Sequence, residues 1–275
     1  MHAPEPPSPD ARRELVLVAT LLVGLARLVG EPQAFVVAGL LPVAVLVAGS
    51  GVFGRDASAS RPYESLLIPA VLAGGAAAAI GLIPAGPWTL VVLVVLAVVL
   101  DAVLALEARL LVQPGGTTDG DRARVLLAAV LVAFIAFTGI AALVPGGLIE
   151  PGGASAPGAT TMSDGWLLML VIDDALIALL MGYRVASSRY GSVTDAARSA
   201  ITYAIVVAIG AGGIRAVGLP QLVGPAVLTL VFYLWDALHG TAPARRREPR
   251  FLWETLSLAV LAIVVVAWNL SLRGR

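Results

Sequence analysis

Nine runs of about twenty apolar residues, each closed off by polar residues or by proline and glycine, account for most of this chain. A run of that length is what an α-helix needs to cross a hydrocarbon layer roughly 30 Å thick. In lipid every backbone N–H and C=O must be satisfied inside the segment, so helices are the expected form. The runs cover residues 14–30, 33–51, 64–84, 87–112, 123–144, 166–187, 196–218, 220–240 and 251–272. With 59% hydrophobic residues, 13% charged residues and a mean hydropathy of +0.92, the chain falls far from soluble domains, in which about a quarter of residues are charged. The predicted fold is therefore all-α: a polytopic transmembrane helix bundle of nine spans, one membrane domain over residues 11–275. Residues 1–10, MHAPEPPSPD, read as a disordered tail. Arg12 and Arg13 precede an apolar run as in a signal peptide, but no small-x-small cleavage site follows it, so the first helix is expected to stay in the membrane.

Arginine is the only strong cation, and its distribution orients the spans. With the N-terminus in the cytoplasm, the inner side holds fourteen of the eighteen arginines: Arg12, Arg13, Arg55, Arg61, Arg109, Arg122, Arg124, Arg184, Arg189, Arg198, Arg245, Arg246, Arg247 and Arg250. The outer side holds the other four, Arg27, Arg215, Arg273 and Arg275. The positive-inside rule requires such a bias. The longest outer loop, residues 145–165, carries no positive charge, and the C-terminus is expected outside. Arginine without lysine, among abundant alanine, valine, leucine and glycine, points to a GC-rich bacterial genome, hence to a bacterial cytoplasmic membrane.

Several chemistries are excluded by what is missing. Without cysteine there is no disulfide, thiolate metal site or thiol nucleophile. Without lysine there is neither a retinal-type Schiff base nor a phosphate-binding P-loop. His2 and His239 are the only histidines, too few for a haem held between two facing helices. No cofactor and no metal are expected.

One phrase is written twice. Residues 24–33 read GLARLVGEPQ and residues 212–221 read GGIRAVGLPQ, sharing G-x-x-R-x-V-G-x-P-Q. The chemistry is that of a tight helical hairpin at the outer ends of the first and seventh helices. Gly30 and Gly218 suit the left-handed residue that closes a helix; Pro32 and Pro220 suit the first turn of the next, which has no use for an N–H. Arg27 and Arg215 fall in the last turn, where a cation meets the negative end of the helix dipole and can snorkel to headgroups. Only Gln33 and Gln221 are left unexplained by the turn.

The repetition extends further. Helices one, five and seven start with Asp-x-x-Arg at Asp10, Asp121 and Asp195, where aspartate suits an N-cap and the positive end of the dipole. Helices four, six and eight carry LDAV at Asp101, DDAL at Asp173 and Asp174, and WDAL at Asp236, while helix two offers Ala48 instead. These features predict a two-helix unit used four times, residues 11–60, 61–113, 121–190 and 194–244, with a ninth helix, 251–272, appended. Six helices separate the two best copies, so the units run the same way through the bilayer as parallel repeats.

Ionisable side chains within a span are expensive and are read first as functional. Asp174 is expected near the midplane and facing the bundle interior, with Asp173 about 100° away around the helix and turned toward a neighbour. Asp101 and Asp236 lie deeper toward the cytoplasm. Burial without a cation disfavours a charged carboxylate, which is the behaviour of a proton carrier and equally of an inert acid hydrogen-bonded to a neighbouring helix. Asp236 and His239, three apart, share a helix face; one His and one Asp fall short of a metal site, and a cation at the end of its helix is the simpler role for His239. Glu107, Glu254, Tyr183 and Arg184 are read as an interfacial belt, Gly74, Gly75, Gly210, Gly212 and Gly213 as points of close helix approach, and Pro42, Pro69 and Pro225 as kinks.

Three functions compete. A small-solute or proton-coupled transporter would bring Asp101, Asp174 and Asp236 together on one polar cavity. A non-catalytic membrane subunit, anchor or assembly factor would leave them on separate contacts and would bind a membrane-protein partner or a second copy of the chain. An intramembrane lipid-modifying enzyme ranks last, since no HExxH, Ser-His pair or carboxylate pair is written in the sequence, and the protein is not expected to be an enzyme. Besides the lipid bilayer, the basic inner surface suits anionic headgroups rather than nucleic acid.

Overall fold

A computed structural model describes residues 8–29, 33–53, 63–112, 117–148, 162–217, 222–241, 246 and 248–273, the last five of these without their side chains. The described residues form nine α-helices and no strand. They are α1 (Pro9–Ala26), α2 (Gln33–Phe53), α3 (Leu67–Ala79), α4 (Pro87–Val112), α5 (Asp119–Leu143), α6 (Asp164–Ser187), α7 (Val193–Val217), α8 (Val223–Gly240) and α9 (Pro249–Arg273), with 3₁₀ turns at Glu64–Leu66 and Ile80–Leu82 flanking α3. The protein is a multi-pass membrane protein built as a helical bundle. Its near end gathers the starts of α1, α3, α5, α7 and α9 with the ends of α2, α4, α6 and α8; its far end gathers the others.

Eight helical segments, rather than nine, are long and apolar enough to cross a membrane. The exception is α1. It starts at Pro9, earlier than expected, with Ser8 as its N-cap, so Asp10, Arg12, Arg13 and Glu14 all lie inside it. The apolar part that follows, residues 15–26, makes only about 18 Å of helix.

Packing is organised around α3. Ten of its thirteen residues are buried, and it touches α1, α2, α4, α5 and α6. Its sequence, LIPAVLAGGAAAA, explains how. Between helices in lipid, close packing rather than hydrophobic collapse holds the interface, and small residues let backbones approach. A Cβ on Gly75 would lie 2.7 Å from Ala136 Cα, and one on Gly139 would run into the Gly75 carbonyl oxygen. Gly74 makes room for the Pro42 ring of α2 in the same way. By contrast, Gly212 and Gly213 face open space and Gly210 makes only ordinary contact with Leu228, so the close-approach reading holds for α3 alone.

Proline placement differs from expectation for the same local reason. Pro42 does lie inside α2. Pro69 and Pro225 are each the third residue of their helix, in the first turn where no intrahelical N–H is needed, and so do not interrupt a span. The repeated Asp-x-x-Arg starts also resolve differently. The N-caps of α1 and α5 are Ser8 and Thr118, the latter in a capping box with Asp121. Asp10, Asp121 and Asp195 lie within the first turn. There Asp121 pairs with Arg124 at 3.4 Å and Asp195 with Arg198 at 4.0 Å, one turn on.

The most extensive helix interface is between α6 and α7, which belong to different two-helix units of the sequence reading, and α9 packs chiefly on α8.

Candidate functional site

The last turn of α6 and the turn after it, residues 183–190, read YRVASSRY and tie four other parts of the chain to the near end. Each tie is a polar side chain that a helix end has carried out of the lipid-facing stripe. Tyr183 donates its hydroxyl to Glu64 at 2.7 Å, at the start of the 3₁₀ turn before α3. Arg184 makes a two-pronged pair with Glu107 near the end of α4, at 3.0 Å and 2.5 Å, and both are buried. Thr117, just before α5, donates to the Ser188 carbonyl at 2.7 Å. Arg189 donates to Asp236 Oδ2 at 2.6 Å, near the end of α8.

Asp236 is bonded through both of its oxygens. Its other oxygen accepts the Tyr203 hydroxyl of α7 at 2.5 Å. Gly182 of α6 makes this possible, because a Cβ there would stand 2.8 Å from the Tyr203 ring, and Phe232 packs the ring from α8 at 5.2 Å between centroids. Arg189 lies outside the spans and across Gly240, where a Cβ would collide with its guanidinium. Burial works against the charge of Arg189, but hydrogen bonding and attraction to Asp236 outweigh it and hold its pKa above the ordinary arginine value.

The acids predicted from sequence are not brought together. Asp101 pairs with Arg12 of α1 at 2.8 Å and is partly exposed. Asp236 belongs to the α6–α8 tie just described, at the near end. Asp174 is buried in α6, about 15 Å of helix from the far end, and neither of its oxygens has a hydrogen-bond partner among the described residues. Asp173 is half-buried beside it. His239 does not face Asp236: it is exposed, stacked on Trp235 at 3.7 Å between centroids. Among the described residues no three His, Asp or Glu side chains gather as a metal ion would require.

The arginines of the repeated phrase share one role, and it is not snorkelling. Arg27 Nη1 donates to the Ile80 carbonyl at 2.6 Å, and Arg215 Nη1 donates to the Gly147 carbonyl. Each ties the far end of its own helix to the chain leaving a neighbouring one, after α3 and after α5. Gln33 opens α2, whereas Gly30, Pro32, Gly218, Pro220 and Gln221 lie outside the described residues.

Sequence reasoning gave Arg189 and Tyr203 no place in a site, and it read Glu107 and Arg184 as interfacial. Of the residues read as an interfacial belt, Glu254 is exposed and paired with Arg250 at 2.9 Å; the belt reading fails for Glu107 and Arg184, which are buried and bonded to each other, their long side chains bridging α4 and α6. The available signal was one acid and one base of opposite sign, each about one turn from the near end of its helix. No known family, curated protein or solved structure matches the chain.

Proposed function

We propose that this protein is a non-catalytic subunit or assembly platform of the bacterial cytoplasmic membrane, with its N-terminus in the cytoplasm and its C-terminus outside. What supports this reading is the fate of the spanning acids. A carrier needs carboxylates free to meet a solute or proton along a shared path. Here Asp101 and Asp236 are each occupied by an arginine from another element, on separate contacts. The buried Asp236 pair fixes which helix meets which, more than it adds net stability. A scaffold that must hold its shape in lipid uses such a pair so. Its near end, where Arg13, Arg109 and Arg198 are exposed, suits anionic headgroups, and its partner is a membrane protein or a second copy of the chain.

Proton-coupled transport is the second reading, favoured by one observation: Asp174 has no hydrogen-bond partner among the described residues. Purified protein reconstituted into liposomes with an internal pH-sensitive dye separates the two. The scaffold reading expects proton flux equal to that of protein-free vesicles under an imposed gradient. Flux present in the wild type and lost in Asp174→Asn establishes the carrier instead.

A further inference from the structure

Asp174 is the one acid among Asp101, Asp174 and Asp236 left without a pairing partner. Its side chain is 1% exposed, and α6 packs against α7, α5, α3 and the 3₁₀ turn before α3. The charged and titratable groups of those elements are few. α3 contributes none. Those of α5, Asp119, Asp121, Arg122 and Arg124, lie in its first turns at the near end, as does Glu64, bonded to Tyr183. On α7, Asp195 and Arg198 are also at the near end, and Tyr203 is bonded to Asp236. The groups whose fields reach Asp174 are Arg215 of α7 and its own neighbour Asp173.

Arg215 is only half committed. Nη1 holds the Gly147 carbonyl, while Nε is buried with no partner among the described residues. A guanidinium with an idle donor thus stands within electrostatic reach of a carboxyl group with two idle oxygens, and no hydrogen bond joins them. An ionised carboxylate buried here would attract the guanidinium charge to charge in a low-dielectric interior, where a backbone carbonyl offers only a dipole. A neutral carboxyl group has no such pull and is much cheaper to bury alone.

We propose that Asp174 is a reversible proton-binding site and that Arg215 is the counter-ion that takes its carboxylate when the proton leaves. The proton passes to solvent, the Arg215 hydrogen bond to Gly147 breaks, and an Arg215 hydrogen bond to Asp174 forms. Gly147 closes the turn after α5, in which its N–H donates to the Val144 carbonyl at 2.8 Å and Gly146 takes a φ of 73°. Deprotonation therefore frees that turn, and the far end of the bundle reports on pH.

Infrared difference spectra of the purified protein in lipid nanodiscs, recorded across a pH series, test this. The expected result is a carboxyl C=O band that disappears as pH rises, is absent in Asp174→Asn and persists in Asp173→Asn. In Arg215→Gln the midpoint of that titration lies about one pH unit or more above the wild type, whereas Arg215→Lys, which keeps the charge and covers the case in which the glutamine variant does not fold, stays closer to it. In a second readout, Leu148→Cys reacts faster with a soluble maleimide at high pH than the thiolate chemistry of a free cysteine peptide accounts for, and Asp174→Asn removes the excess. The idea is overturned by the lack of a titrating band that depends on Asp174, by a band that Asp173→Asn removes instead, or by a midpoint that both Arg215 variants leave where it was.

Discussion

Tyr203 donates its hydroxyl to Asp236 at 2.5 Å, joining α7 to the end of α8 across a gap that Gly182 of α6 keeps open. With Arg189 on the other oxygen, Asp236 is held from two parts of the chain at once. Removing one partner of a buried ion pair leaves an uncompensated charge, which costs about 3–5 kcal/mol, whereas a single hydrogen bond from a neutral hydroxyl to a charged group is worth about 1.5–3 kcal/mol. Thermal unfolding in detergent is expected to rank Arg189→Gln below Tyr203→Phe in stability. A Tyr203→Phe variant as unstable as Arg189→Gln would mean that the hydroxyl holds the tie as strongly as the guanidinium does.

The two acids of α4 are expected to behave unlike each other. Glu107 is buried and bonded twice by Arg184, while Asp101 and its partner Arg12 are both partly exposed. Glu107→Gln leaves Arg184 buried and unmatched and costs about 3 kcal/mol. Asp101→Asn costs under about 1 kcal/mol, as exposed pairs do. The double variant Glu107→Gln/Arg184→Gln recovers much of the loss, because neutral partners suffer no stranded charge. Equal losses for the two single acid variants in the same melting assay would show that burial does not separate them.

The helices were legible because hydropathy over some twenty residues is a strong, local signal, and eight segments clear it in the structure. The fate of each acid was not, because it depends on which helix faces which. Asp101 could be seen to lie deep in α4, but its pairing with Arg12 follows from α1 starting at Pro9 and carrying that arginine into the bundle. Glu107 and Arg184 looked interfacial by their distance from the helix ends, but they are buried and reach each other from α4 and α6. The repeated phrase marked Arg27 and Arg215 correctly as a matched pair. What it concealed is that both turn to backbone carbonyls at the ends of neighbouring helices rather than to the headgroups.

The α3–α5 contact yields a steric prediction. Gly139 packs on the Gly75 carbonyl, and backbone cannot move aside as a flexible side chain can. Gly139→Val is expected to destabilise by about 1–3 kcal/mol, the usual cost of forcing extra carbons into a packed interface. Gly81, in the 3₁₀ turn after α3, has nothing within 4 Å of an added Cβ, so Gly81→Ala should melt with the wild type. If Gly139→Val also melts with the wild type, the helices do not approach as closely as described.

Orientation is open to a direct chemical test, since the chain contains no cysteine and any introduced thiol is the only one to react. Gly120 and Ser192 are exposed at the near end, Ala85 at the far end. If arginines retained in the cytosol set the topology, a membrane-impermeant maleimide added to intact cells labels Ala85→Cys. It reaches Gly120→Cys and Ser192→Cys only after the membrane is opened. The near-end pair must agree, because a helix hairpin of α5 and α6 separates them and an even number of crossings returns the chain to the same side. Labelling of Ser192→Cys from outside, with Gly120→Cys protected, would remove one crossing from the bundle. Labelling of both from outside would invert it, placing the Asp236–Arg189 tie at the external face and the Arg215–Gly147 turn in the cytosol.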